Sequence, residues 1–260
     1  MLLSRYLKRV LLIVDHRTLL VTMLSVFGTY LCLHYKWVAN FPLTLIATAI
    51  VFPIVFSIGS AYKRRETALQ NYGEIKANGY SIYLATRDWL VPAQPQSQEK
   101  VRVLLHETMD HIRHMLIEPV ESLRSNEIAI YRQFSLLSQF VRDDLRAHEL
   151  SPTEISRCSQ YVTKMLTSFE SIKHIYQYRT PRSLRAFSDV FIYALPLLYG
   201  PYFAFEALKY SHGLEYVMPV LFSLVLVSLN NIQRQLENPF DQVGVDDIDI
   251  SVERFMVRLS

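Results

Sequence analysis

Phe52, Phe56 and Ser60 stand at i, i+4 and i+8 in FPIVFSIGS, inside a run from Trp37 to Ala61 that carries no Asp, Glu, Lys or Arg. On a helix this spacing places two aromatic rings and a hydroxyl on one face. Such a face either packs against a neighbouring helix or lines a passage, where apolar rings exclude water and so resist ions. The run also holds Pro53 and Gly59, residues that cost a helix stability; a break is expected at Pro53. His106, His111 and His114 fall in a helical stretch around ETMDHIRHML. His111 and His114 share a face at i, i+3, but a metal would want a third ligand and supporting partners, so a solvated or inter-subunit face is the expectation. Lys63, Arg64 and Arg65 have two readings, attraction of anions or anchoring at a membrane surface. No nucleophile with a base, Gly-rich phosphate loop, HExxH or CxxC occurs, so an enzyme is not expected.

The elements that must position these residues follow from segregation of polarity. Half of the 260 residues are hydrophobic, 20% are charged and mean hydropathy is +0.13, with apolar residues and charges in separate blocks. This is the pattern of a membrane protein with a water-exposed part. A net charge of +3 is too mild to argue for nucleic acid. Cys32 and Cys158 lie in an apolar and a polar block, which excludes a disulfide framework. The start, MLLSRYLKRVLLIVD, lacks a small-residue cleavage site and runs into a span, so it is not read as a signal peptide. Four spans are expected: Thr18 to Tyr35, Trp37 to Ala61, Ala186 to Phe205 with Asp189 near its start, and Tyr216 to Asn231. The last is short for a hydrocarbon core of about 30 Å and needs its flanks to complete the crossing. Lys8, Arg9 and Arg17, then Lys63, Arg64 and Arg65, then Arg179, Arg182 and Arg185, and finally Arg234 fall at one set of span ends. Basic residues favour the cytoplasmic side, which puts both termini and the middle segment there and pairs the spans as two hairpins. The segment Tyr62 to Pro181 reads as all-helical. VPAQPQSQ, Val91 to Gln98, reads as a loop. SPTE, Ser151 to Glu154, is a capping box with proline after the cap and should open a helix to about Tyr178.

Three patches, in order on this topology, resemble the bestrophins. FPIVFSIG resembles their pore-neck stretch. AYKRRETALQNYG resembles a pattern carried here by Ala61, Tyr62, Arg64, Ala68, Tyr72 and Gly73. QLENPFDQVGVDDIDI resembles their Pro-Phe motif with acidic residues after it. The resemblance covers about Ser4 to Ile250. It implies a pentameric channel with a hydrophobic neck on the symmetry axis, with Phe52, Phe56 and Ser60 as neck residues and Pro53 and Gly59 loosening the helix around the pore. Ser60 departs from the pattern, where a third large apolar residue is usual, so the inner end of the neck should be wider and wetter. A second constriction in the family, counted back from Pro181, lands near Thr153; a helix start there would turn its N–H groups towards anions, and a plain surface helix start is the alternative. In calcium-gated members a clasp forms in the region of Gln235 and Asn238, with Asp246 and Asp247 able to supply hard oxygens. The alternative is a turn in which Asn238 and Pro239 end the fourth helix and the carboxylates stay solvated.

The resulting expectation is an all-α polytopic membrane protein with four transmembrane spans in two hairpins and a large cytoplasmic helical region. It divides into an N-terminal segment and first hairpin with the neck (1–61), a cytoplasmic helical region (62–185), a second hairpin (186–231) and a cytoplasmic tail (232–260). The expected assembly is a homopentamer in a bacterial inner membrane, both termini cytoplasmic, binding no nucleic acid. Chloride is the expected ion, on the anion conduction that the resemblance to eukaryotic members implies and on the partial positive charge of aromatic ring edges. Calcium is the one cofactor implied. A cation channel of the same fold and a non-conducting membrane-anchored helical scaffold are the rivals.

Overall fold

The computed structural model describes residues 14–41, 43–119, 122–178, 181–209, 214–242 and 247–259, and these form helices with no strand among them. The chain divides into two compact units, Met1–Lys63 with Thr180–Glu237, and Arg64–Arg179 with Asn238–Ser260.

The first unit contains α1 (His16–His34), the start of α2 (Leu43–Asp88), α6 (Arg182–Leu198), α7 (Gly200–Ala207) and α8 (Val217–Glu237). Helix α1 starts where Asp15 accepts from the N–H groups of Arg17 and Thr18, both at 3.0 Å, and Thr18 Oγ1 accepts from Asp15 N at 3.3 Å. These bonds satisfy donors that the first turn leaves without partners. The core is Val21, Ile50, Ile54, Ile192, Leu195, Tyr199, Phe203, Leu226 and Val227. Apolar side chains gain little by leaving lipid for one another, so close packing by small residues must hold such helices together. Gly28 and Gly200 do this: a Cβ on Gly200 would lie 3.2 Å from Gly28 O. Leu19, Leu20, Met23 and Phe27 of α1, and Leu221, Leu224 and Val225 of α8, remain exposed, as a lipid-facing surface would be.

Four stretches are long and apolar enough to cross a membrane: His16–His34, Ile46–Asp88, Ser183–Ala207 and Val217–Glu237. Three details differ from the sequence expectation. Helix α2 begins at Leu43, and the strap before it bonds to α7 through Ala39 N and Pro201 O at 3.2 Å. The expected break at Pro53 does not occur, and α2 runs through it for 46 residues. Proline removes one donor, and a chain that exchanges no backbone bonds with water keeps the rest of its ladder. The third span holds a single turn residue, Tyr199, between α6 and α7, and helical bonding continues through it, from Tyr199 N to Leu195 O and from Phe203 N to Tyr199 O, both at 2.9 Å. Pro201 suits the first turn of a new helix, where its missing N–H has no cost.

The second unit contains the remainder of α2, α3 (Pro95–Ile117), α4 (Leu123–Gln139), α5 (Pro152–Gln177) and the short α9 (Val252–Met256). Val101, Leu105, Thr108, Met109, Ile112, Met115 and Leu116 are the buried stripe of α3, at the spacing of an amphipathic helix. Helix α3 starts at Pro95, so the expected loop at Val91 to Gln98 is shorter than read. After α4 the chain widens into one π-helical turn, Phe140–Asp144, with Leu145 N–H donating to Phe140 O. Helix α5 opens on the SPTE box as expected, with Glu154 N donating to Ser151 Oγ at 3.3 Å and Ser151 N to Glu154 Oε2 at 3.1 Å.

Candidate functional site

Helix α2 has a buried side and an open side along its length. Within the first unit Ile50, Ile54, Ser57 and Ala61 are buried, while Thr44, Thr48, Phe52, Phe56, Gly59 and Ser60 are exposed. The three residues expected to form a neck thus share the open side. Phe52 and Phe56 are each 59% exposed, and their rings meet edge to face with centroids 4.5 Å apart at 76°. Pro53 is half-buried beside them. A Cβ on Gly59 would meet nothing within 4 Å, so no packing inside the chain requires glycine there.

Within the second unit the buried side of α2 is Ala68, Tyr72, Ile75, Gly79, Ile82 and Thr86. Its open side carries polar groups that the sequence reading passed over. Asn71 Nδ2 donates to Thr67 O at 2.7 Å, and Asn78 Nδ2 to Glu74 O at 2.8 Å. Ser81 Oγ donates to Ala77 O at 3.0 Å. Glu74 is exposed and accepts from Ser168 Oγ of α5 at 2.8 Å and from Gln70 Nε2 at 3.3 Å. The signal that could have found them is the same periodicity: Glu74 follows Phe56 by 18 positions, about five helical turns.

Thr153 is exposed in the first turn of α5. The turn already has an anionic partner, because Glu154 accepts from Ser151 through its own carboxylate. The Ser151 hydroxyl and then its backbone N–H hold the Glu154 carboxyl below the usual range. A carboxylate at a helix N-terminus offsets its positive dipole end.

Within the C-terminal motif, Pro239 to Gln242 turn away from the end of α8. Helix α8 stops at Glu237, and Ile248 N–H donates to Pro239 O at 2.9 Å while Gln242 Nε2 donates to Ile248 O at 2.9 Å. Asn238 Nδ2 donates to Asp241 Oδ2 at 3.1 Å, and Asn238 Oδ1 is buried without a hydrogen-bond partner. Gln235 and Asp247 are half-buried, and Asp246 lies outside the described residues. Calcium takes about six to eight oxygens. Asn238 and Asp241 together fall well short of that, and among the described residues no group of three or more His, Cys, Asp or Glu gathers for a metal. His106 and His114 are exposed, and His114 Nε2 lies 3.5 Å from Asp110 Oδ2. Arg65 reaches Glu66 at 2.5 Å.

The first unit also closes a polar cluster that the sequence reading treated only as orientation signals. Arg234 pairs with Asp189 at 2.8 Å, Arg185 with Glu237, and Asn231 Nδ2 donates to Asp15 Oδ1 at 3.1 Å. These bonds tie α1, α6 and α8 together at one end.

No protein-family model and no curated protein matches the chain. Solved structures do. A bacterial bestrophin homologue from Klebsiella pneumoniae with a tyrosine-to-alanine mutation has a TM-score of 0.75 at 16% identity, over 94% of this chain and 98% of that one. A second structure of the Klebsiella homologue gives 0.74 at 17%, over 94% and 97%. A membrane protein with a proline-to-alanine change gives 0.77 at 15%, over 94% and 99%. Four apolar helices in this order, superposing over nearly the whole of both chains, give this chain the bestrophin-type fold.

Proposed function

We propose that the chain is the protomer of a homopentameric ion channel in a bacterial inner membrane, with both termini and the second unit on the cytoplasmic side. Phe52 and Phe56 line the neck and Ser60 its inner end. One observation carries this reading. The open side of α2 in the first unit mixes Thr44, Thr48 and Ser60 with the two exposed rings as well as Ile46 and Val55, whereas the open face of α8 is Leu, Met and Val and that of α1 is Leu, Met and Phe with Tyr30 and His34 towards its end. Lipid suits the second kind of face. A face of hydroxyls around an aromatic pair suits a narrow aqueous passage, where the rings act as a dewetting barrier. Replacing Phe52 and Phe56 together with Ala should raise the current of the purified protein in a planar bilayer, with the oligomer mass in mild detergent confirming a pentamer. Unchanged conductance in that double variant removes the neck assignment. A monomer or dimer that passes no current makes the membrane-anchored scaffold the better reading.

The sign of the ion has two readings. Chloride follows from the positive edges of the rings, although in the pair one edge is turned onto the neighbouring ring. Cations follow from the oxygen-rich open side of α2 in the second unit, where the exposed Glu74 carries a full negative charge. The quadrupole of an exposed ring is worth roughly 0.5–1 kcal/mol to a cation over its face. A full charge about 4 Å away in water is worth about 1 kcal/mol, and it falls off more slowly with distance than a ring quadrupole. The second reading therefore has the longer-ranged force behind it.

A further inference from the structure

We infer that Glu74 determines the charge preference of conduction and that the permeant ions it favours are cations; this rests on α2 being the pore-lining helix. Three observations converge on it.

The first is charge. Several described carboxylates of the second unit meet cationic side chains: Asp88 with Arg87, Glu99 with Arg102, Asp144 with Lys100, and Glu127 and Glu170 with Lys173. Glu74 is held by two neutral donors, Ser168 Oγ and Gln70 Nε2, as Glu118 is by Asn126 and Glu154 by Ser151, and of these three it is the one on α2. Neutral donors fix a carboxylate in place without cancelling its charge. It is exposed on the open side of the helix, so its field reaches water.

The second is the orientation of its neighbours. The side-chain amides of Asn71 and Asn78 both donate to the carbonyl one turn earlier. A carbonyl can only accept, so the nitrogen must be the atom facing it, and each Oδ1 is the atom turned away. Ser81 likewise gives its proton to Ala77 O, and on α5 Thr167 and Ser171 give theirs to Thr163 O and Thr167 O. The hydroxyls have used their one donor on the backbone, each amide has used one of its two, and all keep lone pairs to offer. A surface richer in lone pairs than in donors, around a carboxylate, suits the hydration of a cation better than that of an anion.

The third is register. Glu74 lies 18 positions beyond Phe56 in the same helical segment, a sequence spacing of about five whole turns.

The test is the reversal potential of the full-length protein in a planar bilayer under a steep KCl gradient, for the wild type, Glu74→Gln, Glu74→Asp and Glu74→Lys, with the oligomer mass checked for each. Wild type and Glu74→Asp should reverse on the potassium side. Glu74→Gln is nearly isosteric and can still accept from Ser168. It should lower the potassium-to-chloride permeability ratio several-fold, about fivefold for each carboxylate that a permeant ion meets at contact distance in water. Glu74→Lys should move reversal to the chloride side. A wild type that reverses at the chloride potential overturns the inference, as does a Glu74→Gln channel with unaltered reversal. In both cases a raised current in the Phe52→Ala/Phe56→Ala variant leaves the channel reading standing. Absence of current from wild type and from that double variant overturns both together.

Discussion

Gly200→Ala should cost the protein stability while the same change at Gly28, its partner across the interface, should not. A Cβ at Gly200 would sit 3.1 Å from Cys32 Sγ, 3.2 Å from Gly28 O and 3.3 Å from Gly28 C. The thiol can rotate, but the carbonyl oxygen and carbon belong to the backbone of α1 and yield only if the helix moves. Forcing extra carbon into such a contact costs about 1–3 kcal/mol. The gain in helix propensity of Ala over Gly, up to about 1 kcal/mol, offsets part of it, leaving a net loss of about 1–2 kcal/mol. At Gly28 the new Cβ would meet Leu197 Cδ2 at 3.4 Å, the end of a flexible side chain at ordinary contact distance, and propensity should prevail. At Gly59 nothing lies within 4 Å, so Gly59→Ala should be the most stable of the three. The assay is unfolding in mixed micelles of mild detergent and SDS, followed by circular dichroism. The order of midpoints should be Gly59→Ala, then Gly28→Ala, then wild type, then Gly200→Ala. A Gly200→Ala variant as stable as wild type would refute the idea that α1 and the α6–α7 junction are held by backbone-to-backbone approach.

Glu237→Gln should lower the same midpoint, because the Glu237 side chain is 7% exposed and its ion partner Arg185 44%. Breaking a fully buried pair costs about 3–5 kcal/mol; with the arginine partly in water about 1–2 kcal/mol is expected, and adding Arg185→Ala should cost less than the sum of the two changes. Ser151→Ala should cost about 1 kcal/mol as loss of the cap of α5, seen as an earlier loss of helix signal. The same cap gives acid sensitivity. Glu154 titrates below its ordinary value of 4.5, so the stability it adds is complete above that value and is lost as pH falls through the folded-state value. Stability measured against pH should flatten below pH 4.5 in the Ser151→Ala variant; an unaltered slope would show that the box contributes nothing.

What the sequence made legible was periodicity and punctuation. Four apolar stretches, the SPTE box and the end of α8 before Asn238 and Pro239 are written in local residue order, and the structure carries each of them. The open position of Phe52, Phe56 and Ser60 could be read from i, i+4 spacing because one helix contains all three. Pro53 was misread because the cost of a proline depends on what replaces the missing bond, and that is decided by surroundings; here the helix continues past it. The pairs Arg234 with Asp189 and Arg185 with Glu237 lie 45 and 52 positions apart, beyond any local pattern. Glu74 was within reach of the periodicity argument, but its partner Ser168 is 94 positions away, and only that contact shows a carboxylate held by a neutral donor.

The two places where the sequence suggested chemistry for anions carry opposing groups of their own. At Thr153 the helix start that would greet an anion bears Glu154, whose carboxylate takes the Ser151 N–H at 3.1 Å. On α2 the triplet of basic residues after the neck includes Arg65, which reaches Glu66 at 2.5 Å, and further along the helix stands Glu74. A positive dipole end is equivalent to about half a charge and decays within a turn, so one carboxylate in the same turn is enough to reverse its sign. Lys63 and Arg64 and the ring edges at Phe52 and Phe56 are then the anion-favouring features left of the chloride argument, and one of those edges is directed at a neighbouring ring. A dewetting barrier of this kind discriminates mainly by hydration and diameter, and it leaves sign to be set by full charges elsewhere on the path. Selectivity and gating would on this account reside in different stretches of one helix. Widening the neck through Phe52 and Phe56 should change how much current passes without changing where it reverses, while neutralising Glu74 should move the reversal potential and leave the neck's barrier in place.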